Sequence, residues 1–201
     1  MVDIQKEKTL IIIKPDGVQR TLIGEIIKRY EKTGLKLIAM KMVIPTGELV
    51  DKHYNVDPEW PQKVGTKALA SYERTGKTPP STDPLVLASN VLNGLISYLS
   101  SGPVVVMVWQ GMHAVGIVRK ITGSTEPLSS DVGTIRGDFT IDSYEVADIA
   151  NRSVRNLIHA SSSTEESEKE IALWFRSEEL MNYRLFNETV LYDTNLDCLL
   201  D

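Results

Sequence analysis

The sequence predicts an α+β fold: a ferredoxin-like sandwich on a four-stranded antiparallel sheet, with extra helices and a helical insertion. Two halves of one pattern predict it. Strand, helix and strand follow one another over residues 10–44, and strand, helix and a short final strand over residues 104–160. That repetition is the split β-α-β arrangement. The third observation is the separating segment at 47–101, whose ends have helical spacing and whose middle is polar.

Leu10-Ile11-Ile12-Ile13 is a short β-branched run with the pattern of a buried strand. Lys14-Pro15-Asp16-Gly17 ends it with a turn signal. Residues 22–33 place Leu22, Ile23, Ile26, Ile27 and Tyr30 on one helix face, and Gly34 is positioned to stop it. Residues 35–44 set Leu35, Leu37 and Ala39 against Lys36 and Lys41, the alternation of a strand, and Pro45 closes it. In the separating segment, 64–72 and 84–99 are read as helices around an exposed loop at 75–84. Residues 104–109, after Gly102-Pro103, form another buried strand, and 113–121 have helical spacing up to Gly123. A loop rich in Gly, Ser, Thr and Pro covers 124–138; a helix is expected at 146–157 and a short strand at 157–160. Residues 165–176 form the last helix, with Ser163 and Glu166 spaced as a capping box. The tail offers Tyr183, Leu185, Phe186, Leu191 and Tyr192 for packing on a surface, its own or a neighbour's. The whole is one domain over 1–201, with an insertion at about 57–95 and the tail at about 177–201.

Forty-two per cent hydrophobic residues are enough to bury a core. The net charge of −5 argues against a general nucleic-acid coat, which is usually basic, so nucleic acid is not expected as a partner. Cys198 is the only cysteine, which leaves no disulfide framework and no cysteine-based metal site. The first eight residues are polar and lack the apolar centre of a signal peptide. No apolar stretch approaches a membrane span, so a cytoplasmic location without membrane contact is expected. Asn151-Arg152-Ser153 and Asn187-Glu188-Thr189 match the glycosylation pattern, which has no meaning in that compartment.

Gly76-Lys77-Thr78 looks like the end of a phosphate-binding loop. The pattern needs glycine where Ser71 stands, and Pro79-Pro80 blocks the helix that should follow. His159 is the stronger candidate. It lies beside Ser161-Ser162-Ser163, eleven positions before Glu170. A neutral imidazole attacks phosphorus near pH 7, and a carboxylate on one ring nitrogen fixes the tautomer at the other. A lone histidine is more often packed or solvated, so local context does not decide its role. Lys14 directly follows a buried strand, Arg119 lies in the helix after the third strand, and Thr125, Arg136 and Asn156 lie on loops or element ends. A lysine, two arginines, a threonine and an amide are groups that bind a polyphosphate. Each cation taken singly is more often a solvated surface group, and spacing leaves open whether they converge.

Four stretches resemble the nucleoside diphosphate kinase family and stand in the family's order. They are TLIIIKPDG at 9–17, SGPVVVMVW at 101–109, GTIRGDF at 133–139, and NLIHAS at 156–161 running on to EIALWF at 170–175. The resemblance spans about residues 8–176 apart from the insertion, which is similar to that of some archaeal-looking members. It implies a ping-pong reaction. His159 takes the γ-phosphoryl group from a nucleoside triphosphate, mainly ATP, becomes a pros-phosphohistidine, and passes the group to a nucleoside diphosphate. By the family's pattern Glu170, supported by Ser161, orients His159. Lys14, with Tyr54, contacts the transferred phosphate and the sugar; Arg119, Thr125 and Arg136 hold the distal phosphates; Asn156 binds the sugar. Mg²⁺ is the implied cofactor, carried on the phosphates with no direct protein ligand. Base recognition is expected to be loose stacking, with Trp60 as the candidate; anchoring of the insertion by Trp60 is the equal alternative. The resemblance also implies a homo-oligomer, a hexamer or a tetramer built from dimers, in contact through 124–138 and the tail.

Three positions depart from the family's pattern. Ser162 stands where an aspartate is common, Val132 where a proline precedes Gly-Thr-Ile-Arg, and Glu166 where a small residue is common. A serine at 162 still serves as a helix cap, and the loop without the proline is expected to be less rigid. Glu166 lies one turn before Glu170. It is expected to share a face with it and to raise the pKa of both Glu170 and His159, keeping His159 protonated to higher pH. Lowered but not abolished activity would follow. The alternative reading is a nucleotide-binding scaffold or regulator of the same fold with weak catalysis.

Overall fold

The computed structural model describes residues 6–192; Cys198, with the rest of 193–201 and the first five residues, lies outside the described residues. Strands β1 (Lys8–Ile13), β2 (Lys36–Val43), β3 (Val104–Gln110) and β4 (Ile158–Ala160) form one antiparallel sheet in the order β2-β3-β1-β4. This is the ferredoxin-like arrangement the two half-patterns predict. The helices among the described residues are α1 (Pro15–Gln19), α2 (Ile23–Glu31), α3 (Gly47–Tyr54), α4 (Trp60–Thr75), α5 (Pro84–Leu99), α6 (Ala114–Thr122), α7 (Ile135–Phe139), α8 (Tyr144–Ile149), α9 (Thr164–Trp174) and α10 (Glu188–Tyr192).

The two inner strands are apolar at nearly every position because helices cover both faces of the sheet. On one face Ile11, Ile13, Met107 and Trp109 pack with Ile26 and Tyr30 of α2 and Val118 of α6. On the other, Leu10, Ile12, Val106 and Val108 pack with Val50 of α3, Leu99 of α5, and Ile171 and Trp174 of α9. The short outer strand β4 pairs with β1, and this register sets His159 opposite Ile12. β2 is the other edge, and the described part of the tail lies along it. The Met181 N–H donates to the Ile38 carbonyl at 2.8 Å, the Tyr183 hydroxyl donates to the Leu37 carbonyl at 2.6 Å, and Lys36 pairs with Glu188 at 2.9 Å. A bulge between Leu37 and Ala39 leaves Ile38 out of the β3 ladder, and its carbonyl takes the Met181 bond.

Several boundaries differ from the sequence reading. α3 was not foreseen; Thr46 caps it by accepting the Leu49 N–H at 3.2 Å. α4 runs several residues beyond 64–72 at each end and stops at Gly76, whose φ of +66° makes it a left-handed cap. Gly76-Lys77-Thr78 is therefore a helix terminus and not a phosphate loop. α8 begins and ends earlier than 146–157. Asn151 takes φ +46°, and the N–H groups of Asn151 and Arg152 bond back to the carbonyls of Asp148 and Ala147, which closes the helix. The loop at 124–138 contains a short 3₁₀ turn at Pro127–Ser129 and leads into α7. Its 131–138 stretch is tied down where the missing proline suggested looseness: Asp138 accepts the Gly133 N–H at 2.8 Å and pairs with Arg29 at 2.7 Å.

α4 and α5 form the hairpin of the insertion. A Cβ at Gly65 would stand 1.9 Å from the Pro84 carbonyl oxygen, so the helices meet there only because residue 65 has no side chain. Gly65→Ala is expected to push the hairpin apart at a cost of about 1–3 kcal/mol. A thermal melt checks this, and an unchanged Tm contradicts the close contact.

Candidate active site

His159 lies on β4, one strand away from the sheet centre, and Ser161 follows where the strand ends. α9 then returns across the sheet and brings Glu170 to both. His159 Nε2 is 2.8 Å from Glu170 Oε1, and the Ser161 hydroxyl donates to Glu170 Oε2 at 2.6 Å. The Glu170 side chain is 1% exposed and that of His159 17%. Burial raises the pKa of Glu170, against the pull of the Ser161 hydroxyl. Burial lowers the pKa of His159, helped by the charges of Lys14, Arg136 and Arg119 and opposed by Glu166. Burial thus keeps the ring neutral near pH 7, and the tautomer with its proton on Nε2, directed at the carboxylate, leaves the lone pair on Nδ1.

This corrects the expectation that His159 stays protonated to higher pH. Glu166 does act upward on His159, but burial and three cations outweigh it. Nor does Glu166 face Glu170. Its carboxylate turns back over the helix start and accepts the Ser162 N–H. The cap of α9 is Ser163, whose hydroxyl accepts the Glu166 N–H at 3.1 Å, and not Ser162. The two departures are linked: position 162 lacks a carboxylate, and Glu166 brings one to its backbone. Glu166→Gln keeps an acceptor for Ser162 while removing the charge. The acid limb of the pH–rate profile is expected to move to lower pH with Tm nearly unchanged; a limb displaced upward contradicts the account.

α3 contributes a residue the sequence reading missed. His53 is fully buried, its Nδ1 accepts the Trp174 indole N–H at 3.2 Å, and its ring meets that of His159 edge-on with centroids 4.4 Å apart. Burial pushes the His53 pKa far down, so its 3.5 Å approach to Glu170 is not an ion pair. Tyr54 lies against His53 at 5.0 Å, and Trp60 against Tyr54 at 5.7 Å. Trp60, the first residue of α4, thus packs against Tyr54, a contact that fits both the base-stacking and the anchoring expectations. His53, His159 and Glu170 place their donor atoms within 4.8 Å of one another, the geometry of a metal-ligand group. The indole N–H occupies His53 Nδ1 and cations surround His159, while Mg²⁺ prefers oxygen ligands. The cluster is a poor fit for Mg²⁺.

The cationic side is built from the residue after β1, from α7 and from the loop leading to β4. Lys14 is 5% exposed, and its ammonium donates to Asn156 Oδ1 at 2.7 Å. Burial, then the charge of Arg136, lowers its pKa to about 7, against the pull of Asp16. Asn156 Nδ2 donates to the Thr125 carbonyl at 2.8 Å. Arg136 gives its Nε–H to the Asn156 carbonyl and its terminal groups to the carbonyls of Gly123, Ser124 and Ile158. With those bonds it holds the loop as much as it offers charge. Arg119 and Thr125 are exposed, and the Arg119 charge bears on both His159 and Arg136. Lys14, Thr125, Arg136 and Asn156 are thus one bonded network that reaches His159 through Ile158, with Arg119 at its rim.

One backbone feature stands out. Leu157 takes φ +67°, which costs a residue with a side chain roughly 1–3 kcal/mol. Its N–H donates to Asp16 Oδ2 at 3.1 Å, and its carbonyl accepts the Lys14 N–H at 2.8 Å.

The family model for nucleoside diphosphate kinase matches residues 7–64 and 87–180. A nucleoside diphosphate kinase of Pyrobaculum aerophilum is 47% identical over 179 residues, 87% of this chain and 98% of that protein. Nucleoside diphosphate kinase A 2 of Bos taurus is 41% identical over 93% of this chain and 97% of its own length. Among solved structures, an NDP kinase from Pyrobaculum aerophilum superposes with a TM-score of 0.85 at 46% identity, covering 88% of this chain and all (100%) of that one. A nucleoside-diphosphate kinase of Borrelia burgdorferi, described as a transition-state mimic with bound vanadate and ADP, superposes at 0.77 with 35% identity, over 94% and 98% of the two chains. Residues 65–86, between the two matched stretches, belong to the α4–α5 hairpin. Sequence motifs, the sheet order and matches over nearly the whole length agree, and the chain belongs to the nucleoside diphosphate kinase family.

Proposed function

We propose that this chain is a nucleoside diphosphate kinase whose nucleophile is His159 Nδ1. The observation that carries the reading is the 2.8 Å contact of Nε2 with a buried carboxylate, which leaves Nδ1 as the ring nitrogen with a lone pair to offer. In the first half-reaction that lone pair forms a bond to the γ-phosphorus of a nucleoside triphosphate. The bond from phosphorus to the β,γ-bridging oxygen breaks, and the diphosphate leaves with the electron pair. Glu170 takes up the positive charge that develops on the ring, through the Nε2–H. The second half-reaction reverses these steps with another nucleoside diphosphate.

Phosphoryl transfer depends on positioning and charge stabilisation more than on covalent chemistry. Lys14, beside Tyr54, would bind the transferred phosphate, Arg119, Thr125 and Arg136 the distal phosphates, and Asn156 the sugar. Trp60 would flank the base by way of Tyr54. Mg²⁺ would come as part of the nucleotide substrate and neutralise phosphate charge. The chain is read as one domain with the α4–α5 hairpin as its insertion, working as a cytoplasmic homo-oligomer, a hexamer or a tetramer. Support for subunit contacts comes from apolar side chains left open on and beside the 124–138 loop: Leu128 is 74% exposed, Val132 95% and Ile141 98%. No helix among the described residues is long and apolar enough to cross a membrane. The test is initial-rate kinetics with ATP and GDP, together with ADP–ATP exchange in the absence of any second nucleotide. Parallel double-reciprocal lines and exchange are expected. Intersecting lines without exchange contradict a covalent intermediate.

A further inference from the structure

The left-handed turn at Leu157 lies two residues before His159, so any change in it re-aims the imidazole. The Ile158 N–H bonds across it to the Asn156 carbonyl at 2.8 Å, which makes it a γ-turn, and the Leu157 side chain is fully buried. A residue with a Cβ stays in such a conformation only where its surroundings over-determine it. The surroundings here are few. Arg136 holds the carbonyls of Asn156 and Ile158, the Lys14 N–H holds the Leu157 carbonyl, and Asp16 Oδ2 holds the Leu157 N–H. Three of these holds come from groups of the phosphate network. The fourth comes from Asp16, to which nothing so far gives a part in the reaction.

Asp16 is also oddly placed for a purely structural carboxylate. Its second oxygen, Oδ1, and the hydroxyl of Tyr98, delivered by the last turn of α5, are both buried and neither makes a well-formed hydrogen bond, although the phenol interacts with the Asp16 carboxylate and the Asn156 backbone. After burial itself, the Asp16 charge is the strongest influence on the Tyr98 phenol, and it pushes the phenol's pKa up. The Tyr98 ring in turn stands 5.2 Å from the Lys14 ammonium. A buried carboxylate beside a buried phenol with so little hydrogen bonding is uncommon and calls for an explanation.

We propose that Asp16, seated against Tyr98, is a positioning residue for phosphoryl transfer: its Oδ2 fixes the Leu157 turn and thereby the direction of His159 Nδ1. The inference rests on the kinase reading above. Asp16 Oδ2 bonds to the Leu157 N–H and to none of the groups expected to bind nucleotide, and its charge acts on the Lys14 ammonium only by favouring the protonated form, which is already present at low pH. Its loss should therefore reduce the transfer rate and not ground-state binding. A misplacement of about 1 Å at a reacting group costs on the order of 100-fold in rate.

Two substitutions separate position from charge. Asp16→Asn keeps an acceptor of the same length for the Leu157 N–H and loses the charge. Asp16→Glu keeps the charge and moves the acceptor by one methylene. The measurement is single-turnover transfer from γ-labelled ATP with Mg²⁺ to the full-length protein at pH 6.0, where Lys14 is protonated. Rates are taken per labelled site, so that misfolded protein does not count, and ADP affinity is measured beside them. The expected result is a loss of about 100-fold for Asp16→Glu and of no more than about 5-fold for Asp16→Asn, with ADP affinity close to wild type in both. A wild-type rate in Asp16→Glu, a worse defect in Asp16→Asn than in Asp16→Glu, or ADP affinity falling in step with rate overturns the proposal. If the wild type itself takes no label, the kinase reading fails; if it labels and Asp16→Glu labels as fast, only this inference fails.

Discussion

His159→Ala is expected to take no phosphoryl label from ATP and to lose about 10⁴-fold or more in kcat, while ADP still binds within a few-fold of wild type. The size of the effect follows from what the side chain does. His159 supplies the only atom proposed to bond to phosphorus, and no neighbour can replace it: His53 is fully buried with Nδ1 tied to Trp174, and the Lys14 ammonium is committed to Asn156. The small effect on ADP follows from the same geometry. The groups expected to bind the nucleotide lie just after β1, on α3, α4, α6 and α7, in the Thr125 loop and at Asn156, so the ground state does not depend on the imidazole. Rapid quench with labelled ATP and calorimetry with ADP check the two halves. Label on the alanine variant would place the nucleophile elsewhere.

Lys14→Met is expected to cost about 10²–10³-fold in kcat/KM, the scale for removing one preorganised charge from a phosphate in a water-poor site. The ammonium is 5% exposed, and its removal also strands Asn156 Oδ1. A pH profile sharpens the prediction. Lys14 is charged below its pKa and neutral above it, and burial with Arg136 sets that pKa to about 7 in the free enzyme. For the wild type, kcat/KM should therefore fall as pH rises through 7, whereas kcat should fall less because bound phosphates hold the ammonium charged. His159 titrates in the opposite sense and at lower pH, since it loses nucleophilicity on gaining a second proton. Lys14→Met should keep the acid limb and lose the alkaline one. An alkaline limb that survives in the variant assigns it to another group.

The legible parts of this protein were those written as local pattern or as motif. Leu10 to Ile13 announced a strand covered on both faces, and the step from His159 to Glu170 marked two residues that the fold brings to 2.8 Å. The missed residues act across long separations. Asp16 meets Leu157, and His53 meets both His159 and Trp174, in each case over more than 100 positions. No periodicity encodes such meetings, and a histidine on a short helix next to Tyr54 reads as one more polar residue. α8 shows a different failure. Asn151, which ends it in a left-handed turn, is a residue type that tolerates that turn, but the expected helix at 146–157 ran past it. Glu166 was misjudged because spacing of one turn puts it on the same helix face as Glu170, while a carboxylate in the first turn of a helix is drawn back to the free N–H groups at its start.

The most direct test of the central claim is the identity of the phosphorylated nitrogen. Wild-type protein would be loaded with ATP and Mg²⁺, freed of nucleotide, and digested under alkaline conditions for separation of phosphohistidine isomers, with a parallel sample discharged into GDP. With Nε2 held by Glu170, the account predicts pros-phosphohistidine alone, on Nδ1 of His159, and full recovery of the label as GTP. The tele isomer, on Nε2, or label that does not pass to GDP, would contradict it.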